Sequence, residues 1–252
     1  MNKVFVSIFK TNSNYFIEIF KSQVDNLINV WEGKNINDGY SFVIKELLTL
    51  NKDVSNIHFV YKTKNNAFIR LLSRKKEIKE KLAEVYNDDL SLIEYKKLEV
   101  KNKVNGVFQL LWCIKKDEQE KLNSFFNSLN IKRKSLVPID YYYAMTQKNK
   151  YNELYLIIGY SKLTVLYYDE ISLSESICFE LSDYKNLIYQ NNEESFNNYL
   201  NELIYLINYV IRLHHNLTID KVNLVVHNGK ILKDIRFLVY NIDHNNVVIL
   251  DE

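Results

Sequence analysis

The sequence predicts an α/β protein in which one unit is written twice, with mixed sheets and a smaller module inserted into the first copy. Three observations carry this reading. The order strand, strand, strand, helix, strand runs over residues 4–61 and again over residues 154–226. Each copy opens with two apolar runs close enough to pair as a hairpin, 4–9 with 15–20 and 154–158 with 163–168. Between the copies, residues 67–137 interrupt the repeat with strands and helices of their own. The expected organisation is a first half over 1–149, holding an inserted subdomain over about 65–137, and a second half over 150–252.

The elements follow from local pattern. Behind the first hairpin, Tyr40, Val43, Ile44, Leu47 and Leu48 recur at helical spacing. Asn37 and Asp38 stand before them as acceptors for the first amides. A strand at 57–61 completes the unit. The insertion then reads as a strand at 67–72, a helix with Ile78, Leu82, Val85 and Tyr86 on one face, and strands at 90–99 and 106–114. Its second helix has Asp117 at the N-cap, Glu120 three residues later as in a capping box, and a stripe of Leu122, Phe125, Phe126 and Leu129. A strand at 131–137 closes a β-α-β-β-α-β module, whose own small core is expected to include Leu82, Leu110, Phe125 and Leu129. Pro138 fixes φ and lacks an N–H, which suits a boundary. Asp140 then caps a short helix carrying Tyr141, Ala144 and Met145. In the second copy Phe196, Leu200, Leu203, Ile204, Ile207 and Ile211 form the face of a longer helix. A strand at 222–226, a short helix near 231–239 and a strand at 247–250 end the chain as given.

Composition narrows the function. A chain of 252 residues with 47% hydrophobic and 25% charged residues reads as an ordinary globular protein. Its net charge of +2 gives no reason to expect nucleic acid, which usually demands a strongly basic face. Cys113 and Cys178 lie far apart in strands without metal-ligand spacing, so both are expected as reduced thiols. The opening MNKVFVSIF is too short for a signal peptide, and the apolar stretch 199–213 is broken by Asn201, Glu202, Asn208 and Arg212. A cytoplasmic protein is expected. His214 and His215 end the long helix, where they complement its dipole. No Gly-flanked serine and no Cys-His arrangement points to catalysis, and no metal or other cofactor is expected.

The run from NAFIRLLSRKKEIKEKLAEVYNDD through GVFQLLWCIKKDEQEKLNSFFNSLNIKRKSLVPIDYYYAM resembles the inserted subdomain of the PilM family, the actin-like cytoplasmic proteins of type IV pilus assembly. It is similar also to the cytoplasmic domain of the GspL proteins of type II secretion. The stretch from Asp117 to Asn130, with Ile131, Asp140 and Ala144, fits the family's order of helix, strand, acidic residue and helix. The resemblance implies a duplicated actin-like (ribonuclease H-like) fold, in which two hairpin turns hold the phosphates of ATP across a cleft.

This chain departs from the family at those turns. Ser7-Ile8-Phe9 stands where the family writes D-x-G, so the carboxylate that would hold Mg²⁺ and the glycine that would admit phosphate are both replaced. At the second turn Ile157-Ile158-Gly159 keeps only the glycine, and His227-Asn228-Gly229 keeps one glycine of a pair. Ser7, Phe9, Ile157, Gly159 and Gly229 are therefore expected as vestigial nucleotide-site positions. Gly159 and Gly229 read equally as ordinary turn glycines. The subdomain that closes over the nucleotide in the second half is missing by length, because little chain separates a strand ending near Leu181 from a helix beginning near Phe196.

The resemblance then implies a non-enzymatic cytoplasmic scaffold, peripheral at the inner membrane, that docks the cytosolic tail of an assembly protein of a PilN-like or GspM-like system. An assembly ATPase and a second copy of the chain are the further partners it implies. The alternative is an actin-like ATPase with a divergent site. The family's partner groove would be lined here by Ile57, Phe59, Tyr61, Phe68 and Arg70. Arg70, Arg74, Lys75 and Lys76 with Lys132, Arg133 and Lys134 form a basic edge, read either as a solvated face that guards the sheet or as a surface for acidic partners or lipid headgroups. Of Tyr141, Tyr142 and Tyr143, at least one must lie off the core, since helical neighbours point about 100° apart.

Overall fold

The computed structural model describes residues 3–11, 13–21, 30–49, 56–63, 67–72, 75–86, 90–102, 106–131, 134–146, 152–159, 161–170, 172–182, 184, 192–214, 218–226, 231 and 234–250. The chain divides into two compact units, residues 1–22 and 31–148 forming the first and residues 149–252 the body of the second. Each is built on a five-stranded mixed sheet.

In the first unit β1 (Lys3–Lys10), β2 (Tyr15–Lys21) and β3 (Val30–Gly33) are followed by a 3-10 turn (Ile36–Gly39), α1 (Tyr40–Thr49) and β4 (Asn56–Thr63). Next come β5 (Ala67–Leu72), α2 (Lys75–Val85), a 3-10 turn (Leu90–Leu92), β6 (Ile93–Asn102), β7 (Gly106–Lys115), α3 (Lys116–Ser128), β8 (Lys134–Pro138) and α4 (Ile139–Thr146). The main sheet has the order β3-β2-β1-β4-β8, with β1 antiparallel to β2 and parallel to β4. The inserted sheet has the order β5-β7-β6.

The second unit holds β9 (Glu153–Ile158), β10 (Lys162–Tyr168), β11 (Leu173–Glu180), α5 (Glu193–Leu213), β12 (Lys221–Val226), α6 (Ile235–Tyr240) and β13 (Val247–Leu250). Its sheet order is β11-β10-β9-β12-β13. Central strand, hairpin partner and parallel neighbours recur position for position, so the predicted duplication is a duplication of sheet topology.

Two predicted elements belong elsewhere. Strand β8 does not join the inserted sheet; it pairs in parallel with β4, placing Leu136 beside Phe59 and Val137 beside Val60. Phe125 and Leu129 of α3 accordingly pack with Val4, Val6, Ile8, Ile17 and Phe59 in the core of the main sheet, together with Trp112 and Ile114 from β7. The insertion's own core is smaller: Ile69, Leu71, Ile78, Leu82, Tyr86, Ile93, Leu111 and Cys113 between α2 and one face of its three strands. Both sets obey the strand period of two, for Leu111 and Cys113 face α2 while Trp112 and Ile114 face the main core. Helix α3 starts at Lys116 after Lys115, which makes no side-chain cap bond, and Asp117 falls in the first turn. Asn130 at φ 44° ends it in the left-handed conformation, a role more often filled by glycine.

Of the expected inner face of helix α5, Leu200, Leu203, Ile207 and Ile211 are buried, Phe196 and Ile204 are half-buried at its margin, and Tyr199 and Val210 complete the buried side. Asn192 caps it by accepting a hydrogen bond from the Ser195 amide (2.7 Å). Only residues 181–192 lie between β11 and α5, far fewer than the ~40 residues a small domain needs to fold alone.

Candidate functional site

Strand β1 runs further than a phosphate turn at Ser7-Ile8-Phe9 would allow. It pairs with β2 through Lys10 opposite Tyr15, so the hairpin turn is 11–14. The extra pair is held by the Lys10 ammonium, which lies over the Tyr15 ring and forms an ion pair with buried Glu118. Burial opposes the charge on Lys10, but the hydrogen bond and charge of Glu118 outweigh it and raise the pKa. Burial likewise raises the Tyr15 hydroxyl. Ser7 and Phe9 are therefore buried strand residues. Ser7 sits between Glu18 and Val60, and Phe9 lies against Phe16 with ring centroids 6.2 Å apart.

The turn itself is bonded internally. The Thr11 amide donates to the Asn14 carbonyl (2.9 Å), and the Asn14 and Ser13 amides donate to the Thr11 hydroxyl oxygen (3.1 and 3.4 Å).

The second turn is closed in the same way. The Gly159 amide donates to the Lys162 carbonyl (3.0 Å), and the Gly159 carbonyl accepts from the buried Tyr199 hydroxyl of α5 (2.8 Å). Ile157 is buried within β9, opposite Thr164 and Val225. Ser161 and Lys162, not singled out in the sequence, are buried at this turn, and Ser161 accepts from the Leu181 amide (2.8 Å). Their signal was present, a serine and a lysine two and three residues after a hairpin glycine. Gly229 lies outside the described residues.

One face of the first unit's main sheet packs the apolar core; the other carries buried polar groups. Glu18, Ser7 and Val60 form one row across β2, β1 and β4, and Lys62 lies one step along β4 on the same face. The Lys62 ammonium donates to both carboxylate oxygens of Asp140 (3.1 and 2.9 Å). Asp140 is in the first turn of α4, where a carboxylate also meets the positive end of the helix dipole. A buried cation thus engages the acidic residue that the family resemblance singled out. Among the described residues no group of three or more His, Cys, Asp or Glu could hold a metal ion.

The candidate partner residues separate into two sets. Phe59 and Tyr61 are core residues: Phe59 meets Phe126 edge-on at 5.3 Å, and Tyr61 meets Trp112 edge-on at 5.2 Å while its hydroxyl donates to Gln119 (2.8 Å). Burial drives the Tyr61 pKa far up. Neither side chain offers surface to a ligand. Ile57, Phe68 and Arg70 are only half-buried. Phe68 and Arg70 are opposite Trp112 and Leu110 on edge strand β5, on the sheet face that turns toward Tyr61. Of the expected basic edge, Arg74, Lys132 and Arg133 lie outside the described residues, as do the side chains of Lys75, Lys76 and Lys134.

In the tyrosine triplet, Tyr143 is buried and Tyr141 and Tyr142 are half-exposed, Tyr142 lying 6.1 Å from the His58 ring. His214 is buried rather than merely terminal, with Nδ1 2.8 Å from the Val210 carbonyl oxygen and Nε2 2.6 Å from Glu175. His215 is outside the described residues. Cys113 and Cys178 are not joined by a disulfide, and burial pushes the Cys113 thiol up to about 12, which makes it unreactive at neutral pH.

No protein-family model matches the chain, and no curated protein matches it. Solved structures do. A chain of a PilM–PilN type IV pilus biogenesis complex superposes with a TM-score of 0.55 at 10% identity, over 97% of this chain and 87% of that one. The chain has the PilM-like, actin-like fold. A Bacteroides thetaiotaomicron protein with an actin-like ATPase fold and unknown function aligns at 12% identity over 98% of this chain and 90% of that one, with a TM-score of 0.42. The cytoplasmic domain of EpsL, an inner-membrane component of the type II secretion system of Vibrio cholerae, aligns at 8% identity over 90% and 82%, with a TM-score of 0.44. Identities this low bear on fold alone. Among the described residues no helix is long and apolar enough to cross a membrane.

Proposed function

We propose that this chain is a non-catalytic scaffold of a type IV pilus or type II secretion-like assembly, working in the cytoplasm beside the inner membrane. The observation that carries the reading is the state of the two hairpin turns. Thr11, Ser13, Asn14 and Gly159 spend their amides on protein oxygens, and Asp140, the acidic residue that the family resemblance singles out, is bonded to Lys62. Phosphate binding at such a turn needs amides that point at the ligand. The likeness in fold to a PilM–PilN complex supports the partner class, the cytosolic tail of a PilN-like or GspM-like inner-membrane protein.

Edge strand β5 suits an extended tail. Among the described residues β5 is an outer strand of its sheet, so its outer edge can take main-chain hydrogen bonds, while half-buried Phe68 and Arg70 supply an apolar contact and a positive charge. Fluorescence anisotropy of labelled tail peptides, from inner-membrane proteins encoded beside this chain, tests it. The wild type should bind, and Phe68→Asp and Arg70→Glu should each weaken binding at least tenfold with the fold intact. Equal affinity in all three would move the interface away from β5.

The second reading, an ATPase with a divergent site, rests on Ser161 and Lys162. A hydroxyl and an ammonium at the second hairpin turn are chemically suited to phosphate oxygens.

A further inference from the structure

The outer strands of the three sheets are not equally guarded against pairing with another chain. Short length, proline and charged side chains, lysine above all, are the usual guards. Strands β3 and β13 are four residues long, β8 carries Lys134 and Pro138, β5 carries Arg70, and β6 carries Lys96, Lys97 and Lys101. Strand β11 runs for eight residues with no lysine, arginine, proline or glycine, and its charges are Glu175 and Glu180. Among the described residues it pairs with β10 on one side and with no strand on the other.

Glu175, Ile177 and Phe179 share one face of β11, opposite Tyr167, Val165 and Leu163 of β10. His214 of α5 reaches Glu175 on that face, with Nε2 2.6 Å from the carboxylate. The three β10 residues are buried, whereas Ile177 and Phe179 are only half-buried, so the apolar layer runs out to the rim of the sheet. A further strand would set its own alternate side chains beside Ile177 and Phe179, the cross-strand pairing that stabilises sheets. Its main chain would meet the N–H and C=O groups that β11 turns away from β10.

We propose that the outer edge of β11 takes an extended, basic segment of another protein as a sixth strand of the second sheet. Charge chooses this occupant. Over residues 161–182 the acidic residues are Asp169, Glu170, Glu175 and Glu180, the last three exposed, and the one basic residue, Lys162, is buried. Asp183 and Lys185, next in sequence, are of opposite sign and balance each other. From α5, His214 shares Glu175, Arg212 pairs with Asp243, and Glu202 adds a carboxylate that accepts from the Ser182 hydroxyl just beyond the strand (2.7 Å). The edge is acidic with every neighbour on α5 counted.

A second copy of the chain pairing edge to edge would bring acidic strand against acidic strand, and like charges across a strand pair are destabilising. An anionic membrane or a nucleic acid meets the same repulsion. A strand bearing lysine or arginine is attracted instead, and opposite charge also speeds its arrival. Strand addition draws affinity from main-chain hydrogen bonds and specificity from alternate side chains, so the pattern that fits this edge alternates apolar and basic residues. The site differs from β5 in sheet, in unit and in sign of charge, and it does not rest on the scaffold reading.

Fluorescence anisotropy with three labelled octapeptides on the full wild-type chain tests the proposal. One alternates valine with lysine, one alternates valine with glutamate, and the third is the valine–lysine peptide with two adjacent central amides N-methylated. The methyl groups block a donor on each edge of the peptide strand and leave its charge unchanged. The valine–lysine peptide should bind, each of the other two should bind at least tenfold more weakly, and amide hydrogen exchange in the complex should slow in β11 and not in β5. No binding by the valine–lysine peptide, equal binding by either control, or slowed exchange at β5 in place of β11 overturns the proposal. Because the protein is unaltered throughout, no outcome can be laid to a misfolded variant.

Discussion

Removing the Asp140 carboxylate tests how the first unit holds α4 to its sheet. Lys62 and Asp140 are both buried, and the ammonium donates to both carboxylate oxygens at 3.1 and 2.9 Å. Asp140→Ala leaves the buried ammonium in place and removes both of its bonds to the Asp140 carboxylate. Stranding one member of a buried pair usually costs about 3–5 kcal/mol, because the remaining charge keeps its desolvation penalty. For a chain of this length each kcal/mol moves the melting temperature by roughly 2–4 °C, so a fall of about 6–20 °C is expected.

The double variant Lys62→Met with Asp140→Leu removes both charges and fills similar volume. It should recover most of the loss, giving a coupling above ~2 kcal/mol in a double-mutant cycle. Urea unfolding followed by far-ultraviolet circular dichroism reads all four proteins. An Asp140→Ala loss below about 1 kcal/mol, or a double variant as unstable as the sum of its singles, would refute this pairing and its magnitude.

Two further outcomes follow from particular contacts. Tyr199→Phe deletes the buried hydroxyl that donates to the Gly159 carbonyl and should cost about 1–3 kcal/mol in urea unfolding; an unchanged midpoint would mean that the hydroxyl does not hold the turn. Cys113 titrates near 9.0 when unfolded and near 12 in the native protein, so the native state holds a proton that the unfolded state releases between those values. Stability should therefore fall as pH rises from about 9 toward 12, and Cys113→Val should flatten that slope; a slope identical in the variant would contradict the assignment.

Local pattern made much of the fold legible. The apolar runs of β1, β2, β9 and β10 and the stripes of α1 and α5 mark their elements because burial on one face imposes a period of 2 or 3.6. What local pattern does not contain is partner choice. Strand β8 has the alternation of a strand in either sheet, and only its parallel pairing with β4, far back in sequence, decides that it belongs to the main one. With β8 goes α3, whose stripe of Leu122, Phe125 and Leu129 would serve either core.

The site was less legible for the same reason. Nothing at helical or strand spacing links Lys62 to Asp140, although Lys62 at an inward position of β4 after Val60 was a sign that a buried cation needed a partner. The displaced turn depended on Lys10, Tyr15 and Glu118 meeting in space. Phe59 and Tyr61 looked available because strand alternation shows which residues share a face and leaves open what covers that face.

The central claim is that this actin-like chain closes its phosphate turns on itself and does not bind nucleotide. Its most direct test is the melting temperature with and without millimolar Mg-ATP. A ligand at 100 times its dissociation constant adds about 2.7 kcal/mol, which here equals roughly 5–10 °C. The account predicts no shift in the wild type and none in Lys162→Ala relative to its own baseline. A rise of that size in the wild type, lost in Lys162→Ala, would contradict it and establish the ATPase-type site in its place.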